Sequence, residues 1–320
     1  MNLDQVLLEQ HCNSILKSPR IKNKIVVLCE GTIPVLDDRP SPQSYKKMEQ
    51  MPDANFYKAC VPKWWSQYRP EFFNCGDRKN VVNTYFTLLD KHHQAPQESF
   101  LAPEKLYAIV DLDIPIHYIE QEYRFRDTEE IFHHLYQRAK VNVINAEQHR
   151  IWVTGLIYKE AYFVLPELQD IFDNEPLSPT FQGKPLQLAD IYIAISNDME
   201  ADIDLQFFFD RLHPRIQHCT SLDFHDITAL KNSWQHQFLE IIDDTQRREL
   251  VYALLTIRKL KSYWNQIIPS PHSGWTREAY IFREQLSLRI GRQFYSNQDI
   301  NSEHHLPVFF KILSHSLDIA

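Results

Sequence analysis

Hydrophobic positions along the chain recur in two rhythms. Residues 3 to 17 carry apolar side chains at helical spacing and predict an amphipathic helix that ends near Pro19. Lys24-Ile-Val-Val-Leu-Cys29 is a continuous apolar run of strand length, read as a buried strand. The segment from Thr32 to Pro42, with three prolines and two aspartates, predicts a loop before a helix from about Gln43 to Cys60. Glu71-Phe-Phe-Asn74 is a short second strand, and Val81, Val82, Tyr85, Phe86, Leu88 and Leu89 mark the helix after it. Leu106 to Leu112 is a third strand, closed by Asp113 with Pro115 just beyond. A helix around Asp127 to Lys140 leads to a fourth strand, Arg150-Ile-Trp-Val-Thr154, ended by Gly155.

This alternation predicts an α/β fold: a parallel sheet flanked by helices. Beyond Pro166 the pattern changes. Ile191 to Ser196 reads as one more strand, and helices are expected over 221–230, 233–243, 245–266, 276–295 and 306–317, with a break at Pro269-Ser-Pro271. The division expected is an α/β domain over 1–173 and a mostly helical lobe over 174–320.

Composition narrows the class. No stretch reaches the ~18 uncharged apolar residues of a membrane helix, and the first 20 residues lack the pattern of a signal peptide, so a cytoplasmic protein with no membrane partner is expected. The five cysteines are scattered and never form Cys-x-x-Cys, which predicts buried thiols rather than disulfides or a thiolate zinc site. A formal net charge of -8 argues against a broad nucleic-acid-coating surface and leaves room for a local basic groove. The histidine pairs His92-His93, His133-His134 and His304-His305 sit in polar company and are expected at the surface.

The candidate chemistry is acidic. Three of the six glycines, Gly31, Gly76 and Gly155, follow predicted strands and mark one edge of the sheet, where ligands bind in open α/β folds. Glu30, Asp77, Asp111, Asp113 and Glu160 converge there. Asp111 and Asp113, two apart on a strand, share a face, and with Glu30 they supply the oxygen donors that Mg²⁺ or Mn²⁺ prefers. The competing reading is that aspartates at a strand end simply favour the turn.

Ile25-Val-Val-Leu-Cys-Glu30-Gly31 followed by Ala108-Ile-Val-Asp111-Leu-Asp113 resembles the Toprim domain, shared by topoisomerases, bacterial primases and the overcoming-lysogenization-defect nucleases. Asp53-Ala-Asn-Phe56-Tyr57, Cys75-Gly76-Asp-Arg-Lys-Asn80-Val81 and Lys159-Glu160-Ala-Tyr162-Phe163 resemble the nuclease branch, and the likeness spans roughly residues 20 to 170. It implies that Glu30, Asp111 and Asp113 bind Mg²⁺, with Glu160 as an additional catalytic acid. The activity implied is phosphodiester cleavage of nucleic acid, DNA ahead of RNA. Arg78 and Lys79 are placed to meet phosphate at a helix start. No Gly-x-x-x-x-Gly-Lys-Ser/Thr occurs, so the ATPase that accompanies many such nucleases is absent from this chain: either a protein partner supplies one or none is needed.

Two other readings stand beside the nuclease. One is a non-catalytic Toprim-like binding or assembly subunit of a defence or repair complex, in which Lys63-Trp64-Trp65-Ser-Gln-Tyr68-Arg69 stacks bases or holds a partner. The other is a metal-dependent nucleotide-sugar transferase, which accounts for Asp-Leu-Asp and explains Glu30 less well.

Overall fold

The computed structural model describes residues 3–33, 52–62, 65, 69–294 and 301–315. Four strands form one wholly parallel sheet in the order β2-β1-β3-β4: β1 is Val26–Cys29, β2 Glu71–Asn74, β3 Leu106–Leu112 and β4 Ile151–Ile157. These strands are almost wholly buried, as near-continuous apolar runs require when helices cover both faces. The helices α1 (Leu3–Leu16), α2 (Pro52–Ala59), α3 (Arg78–Gln94) and α4 (Thr128–Leu135) alternate with them. Most of the expected loop and first crossover helix, from residue 34 to 51, lies outside the described residues. So do Lys63, Trp64 and residues 66 to 68; Trp65 is buried in the core.

The second half is helical: α5 (Leu188–Asn197), α6 (Ile203–Ile216), α7 (Ile227–Glu240), α8 (Asp244–Ile257), α9 (Ala279–Phe294) and α10 (His305–His315). It packs onto the sheet. Phe310 of α10 meets Phe72 of β2 with ring centroids 6.3 Å apart, and Phe309 meets Trp152 of β4 at 5.1 Å. Register places Phe72 and Trp152 on the same face. On the opposite face, His11 of α1 lies 3.6 Å from the Cys75 thiol. All five cysteines are buried, free thiols. Among the described residues no helix is long and apolar enough to cross a membrane.

Four expectations need correction. Ile191 to Ser196 is part of helix α5, whose buried positions 188, 191, 192, 195 and 196 follow the helical period rather than the alternation of a strand. The helices expected at 221–230 and 233–243 are one, α7, and α6 was not anticipated because Pro214 near its end masks the pattern. His305 is buried, not exposed: its Nε2 donates to the Ala139 carbonyl at 2.6 Å, and its Nδ1 lies 3.2 Å from the Tyr162 hydroxyl.

Gly155, fourth, does not end its strand. It lies inside β4, beside a register shift against β3, and a Cβ there would stand 2.3 Å from the His305 ring and 2.8 Å from that of Tyr136. Both rings are buried. Gly155→Ala is therefore expected to destabilise the fold by about 3 kcal/mol through overpacking, read as a lower midpoint in urea with an unchanged slope. A shift within error would mean that His305 can move.

Candidate metal centre

Three parallel strands deliver acids to the same end of the sheet. Glu30 follows β1, Asp111 lies in β3 with Asp113 just past it, and Glu160 enters on a 3₁₀ turn, Lys159–Val164, that follows β4. Gly31 makes the first placement possible. Its φ is +141°, and a Cβ would lie 2.5 Å from the Asp53 carboxylate and 2.6 Å from Asn74. The two backbones beyond β1 and β2 are joined by reciprocal hydrogen bonds between Gly31 and Gly76, at 2.8 and 2.7 Å.

The Glu30 carboxylate accepts the Asp111 backbone amide at 2.8 Å. Burial pushes the Glu30 carboxyl up to about 7, against that hydrogen bond and the positive charge of Arg78, with Asp113 adding to the rise. Asp111 is held well above the ordinary carboxylate range, first by burial and then by the like charges of Glu30 and Glu160; the Lys159 amide works in the other direction. Asp113 is tied from three sides. Its Oδ1 accepts the Ile114 amide at 2.7 Å and the Tyr158 hydroxyl at 3.0 Å, and Arg78 stands 3.8 Å from Oδ2.

Of the residues singled out in the sequence, Glu30, Asp111, Asp113 and Glu160 are thus brought together. Arg78 joins them as a counter-ion to Asp113. Lys79 is exposed in the first turn of α3, and Asp77 caps that helix by accepting the Asn80 amide at 2.9 Å. The cap occupies one of the amides at the start of that helix.

Four further residues complete the site. Lys159, nearly buried, ion-pairs with Asp53 of α2; burial lowers its pKa against the attraction of Glu160. Tyr158 adopts a left-handed φ of +61°, a strained conformation for a side chain of its size, and its hydroxyl bonds to Asp113. Arg215 of α6 donates from Nη2 to the Asp113 carbonyl at 2.9 Å. Lys159 and Asp53 belong to the Lys159-Glu160-Ala-Tyr162-Phe163 and Asp53-Ala-Asn-Phe56-Tyr57 stretches. Tyr158 and Arg215 reach Asp113 across 45 and 102 residues, and no local pattern marks them.

The donor set suits a hard cation: it is all oxygen, and five carboxyls (Glu30, Asp53, Asp111, Asp113, Glu160) face two cations, Arg78 and Lys159. Mg²⁺ or Mn²⁺ takes one or two carboxylates and fills its other positions with water, so full closure of the cluster is not required. The oxygens of Glu30, Asp111 and Asp113 do not all lie within 4.8 Å of one another. Among the described residues the group of three donors that does is His218, Cys219 and Glu249, a separate cluster in the helical half. Comparison of the chain with family models, curated proteins and solved structures gives no match.

Proposed function

We propose that the chain is a Mg²⁺-dependent phosphodiester hydrolase acting on nucleic acid, of the Toprim type that its motifs resemble. The observation that carries this reading is the burial of Glu30, Asp111 and Glu160 against one another at the carboxyl end of the sheet. Like charges desolvated together are unfavourable unless they take up protons or a cation offsets them, and the ends of parallel strands are where α/β folds bind ligands. Glu30, Asp111 and Asp113 would hold the ion, with Mn²⁺ as a substitute. Bound there, it would lower the pKa of a water and neutralise charge on the scissile phosphate.

The remaining work belongs to the protein's own side chains. Glu160 is the group placed to accept a proton from water, and Glu30 would take that role where it does not hold the ion. Tyr158 and Arg78 orient Asp113. Lys159, paired with Asp53, keeps one positive charge beside the acids. Energy for translocation, if the reaction uses it, would come from an ATPase partner. Five buried thiols and no disulfide fit a reducing, cytoplasmic compartment.

A second reading has its own observation. Asp113 is already satisfied by Tyr158, Arg78 and its own loop, which suits a non-catalytic binding or assembly subunit that keeps the fold without the chemistry. Labelled single- and double-stranded DNA and RNA, incubated with Mg²⁺, Mn²⁺ or EDTA, separate the two. The hydrolase cuts only with metal, and Asp111→Asn slows it by about 100-fold or more. A folded wild type that cuts none of the four substrates overturns the hydrolase and favours the assembly subunit.

A further inference from the structure

The helical half reaches the acidic site along a cleft of about 220 Å³. Asp53, Lys159 and Glu160 line it on the sheet side, and Lys261, Tyr280, Arg283 and Glu284 on the other. The two walls are fixed to each other. Helix α9, which carries Tyr280 and Arg283, packs so closely on α2 that a Cβ at Gly291 would lie 3.0 Å from Ala59 Cβ and 3.1 Å from the Phe56 carbonyl. Beneath the cleft, Trp264 packs on Phe163 with ring centroids 4.8 Å apart.

Two features of the far wall are not explained by packing. Arg215, Arg258 and Lys259 of the same half are each neutralised by a carboxylate. Among the described residues, Lys261 and Arg283 have no carboxylate within ion-pair distance. Arg283 makes one hydrogen bond, to the Ile267 carbonyl at 3.2 Å, and burial lowers its pKa. Tyr280 leaves 55% of its surface exposed at the mouth, beside these two charges. An open aromatic ring flanked by free cations is the arrangement that binds unpaired nucleotides, the ring stacking on a base and the cations meeting phosphates. A cleft of about 220 Å³ is too small to enclose a duplex.

We propose that this cleft receives single-stranded nucleic acid, with a base stacked on Tyr280 and adjacent phosphates on Lys261 and Arg283, and so leads the strand to the acids. The assignment rests on the hydrolase reading and gives the helical half its role there: it selects single-stranded substrate. Glu160 on the sheet side and Glu284 on the far wall repel the backbone, which leaves Lys261 and Arg283 as the places for phosphates.

The test is metal-free binding, so that it does not depend on cleavage. Fluorescence anisotropy with short labelled oligothymidylate and oligouridylate in EDTA is followed across a salt series. Lys261→Glu/Arg283→Glu is expected to weaken binding at least tenfold. The same variant should flatten the slope of log K against log salt by about 1.4, two phosphates at roughly 0.7 each. Tyr280→Ala should weaken it about 5- to 100-fold with the slope unchanged. Lys311→Glu, an exposed charge reversal on α10, should change neither. The cleft is overturned if the wild type binds neither oligomer, if both cleft variants bind as the wild type does, or if Lys311→Glu weakens binding equally. Metal binding, titrated separately in wild type and Asp111→Asn, reports on the acidic site whichever way the cleft result falls.

Discussion

Asp111→Asn is expected to melt at a higher temperature than the wild type when metal is absent, and to gain almost nothing from Mg²⁺. The buried Asp111 carboxyl sits against Glu30 and Glu160, and replacing it with a neutral amide of the same shape removes that repulsion. Each kcal/mol gained raises the melting temperature of a chain this large by about 2–4 °C or somewhat less. The wild type has the opposite response. With Mg²⁺ a hundredfold above its dissociation constant, mass action stabilises the native state by about 2.7 kcal/mol, which the variant should lose. Differential scanning calorimetry in EDTA and in Mg²⁺ reads both effects. A variant less stable than wild type in EDTA would mean that Lys159 and Arg78 already neutralise the acids. Equal stabilisation of both proteins by the metal would move the ion elsewhere, with His218, Cys219 and Glu249 the first place to look.

Arg215→Leu should be the most destabilising single change in the helical half. The Arg215 guanidinium is almost fully buried; Nε donates to Glu129 Oε1 at 2.8 Å, Nη2 to the Asp113 carbonyl at 2.9 Å, and the group lies 5.7 Å from the Phe132 ring. Leucine leaves the Glu129 carboxylate buried with only His133, 3.4 Å away on the surface side, as partner. Breaking a buried ion pair from one side costs about 3–5 kcal/mol, which corresponds to a melting temperature lower by roughly 10 °C. The double variant Arg215→Leu/Glu129→Leu should recover much of it, because the stranded charge is gone.

The pair also sets an acid limit. Burial works to raise the Glu129 pKa, but hydrogen bonds from Arg215 and His133 outweigh it and hold the group at about 2, down from 4.5. A depressed carboxyl stabilises the fold at every pH above 4.5, and that stability is lost as pH falls from 4.5 toward 2. The drop corresponds to roughly 3 kcal/mol. Urea midpoints between pH 6 and 2 should therefore fall in the wild type, and the Glu129 contribution to that fall should be missing in Arg215→Leu. A single variant within 1 kcal/mol of wild type at pH 7 would show that Glu129 is solvated in solution.

The elements legible in the sequence were those whose signal is local. Glu71–Asn74 and Leu106–Leu112 are strands with the bounds that their apolar runs predict, and the helices after Asp77 and Asp127 begin where those aspartates accept the amide three residues on. Glu30, Asp111 and Asp113 could be placed together because each stands at the end of an apolar run, and parallel strands put such ends on one edge. Where a short apolar run fits either period, as at 191–196, the sequence does not choose, and contacts with the rest of the chain decide.

What the sequence by itself determined, then, is the alternation of buried strands and amphipathic helices, and with it the parallel sheet and its acidic edge. Tertiary structure alone decided what surrounds that edge: Arg215 on the Asp113 carbonyl, His305 against Gly155, the Asp53–Lys159 pair and the cleft between α2 and α9. The physical reason is range. Hydrophobic period and strand-end turns are properties of a few neighbouring residues. A buried ion pair or a close contact at a glycine depends on partners up to a hundred or more positions away, and these meet only when the helical half packs onto the sheet.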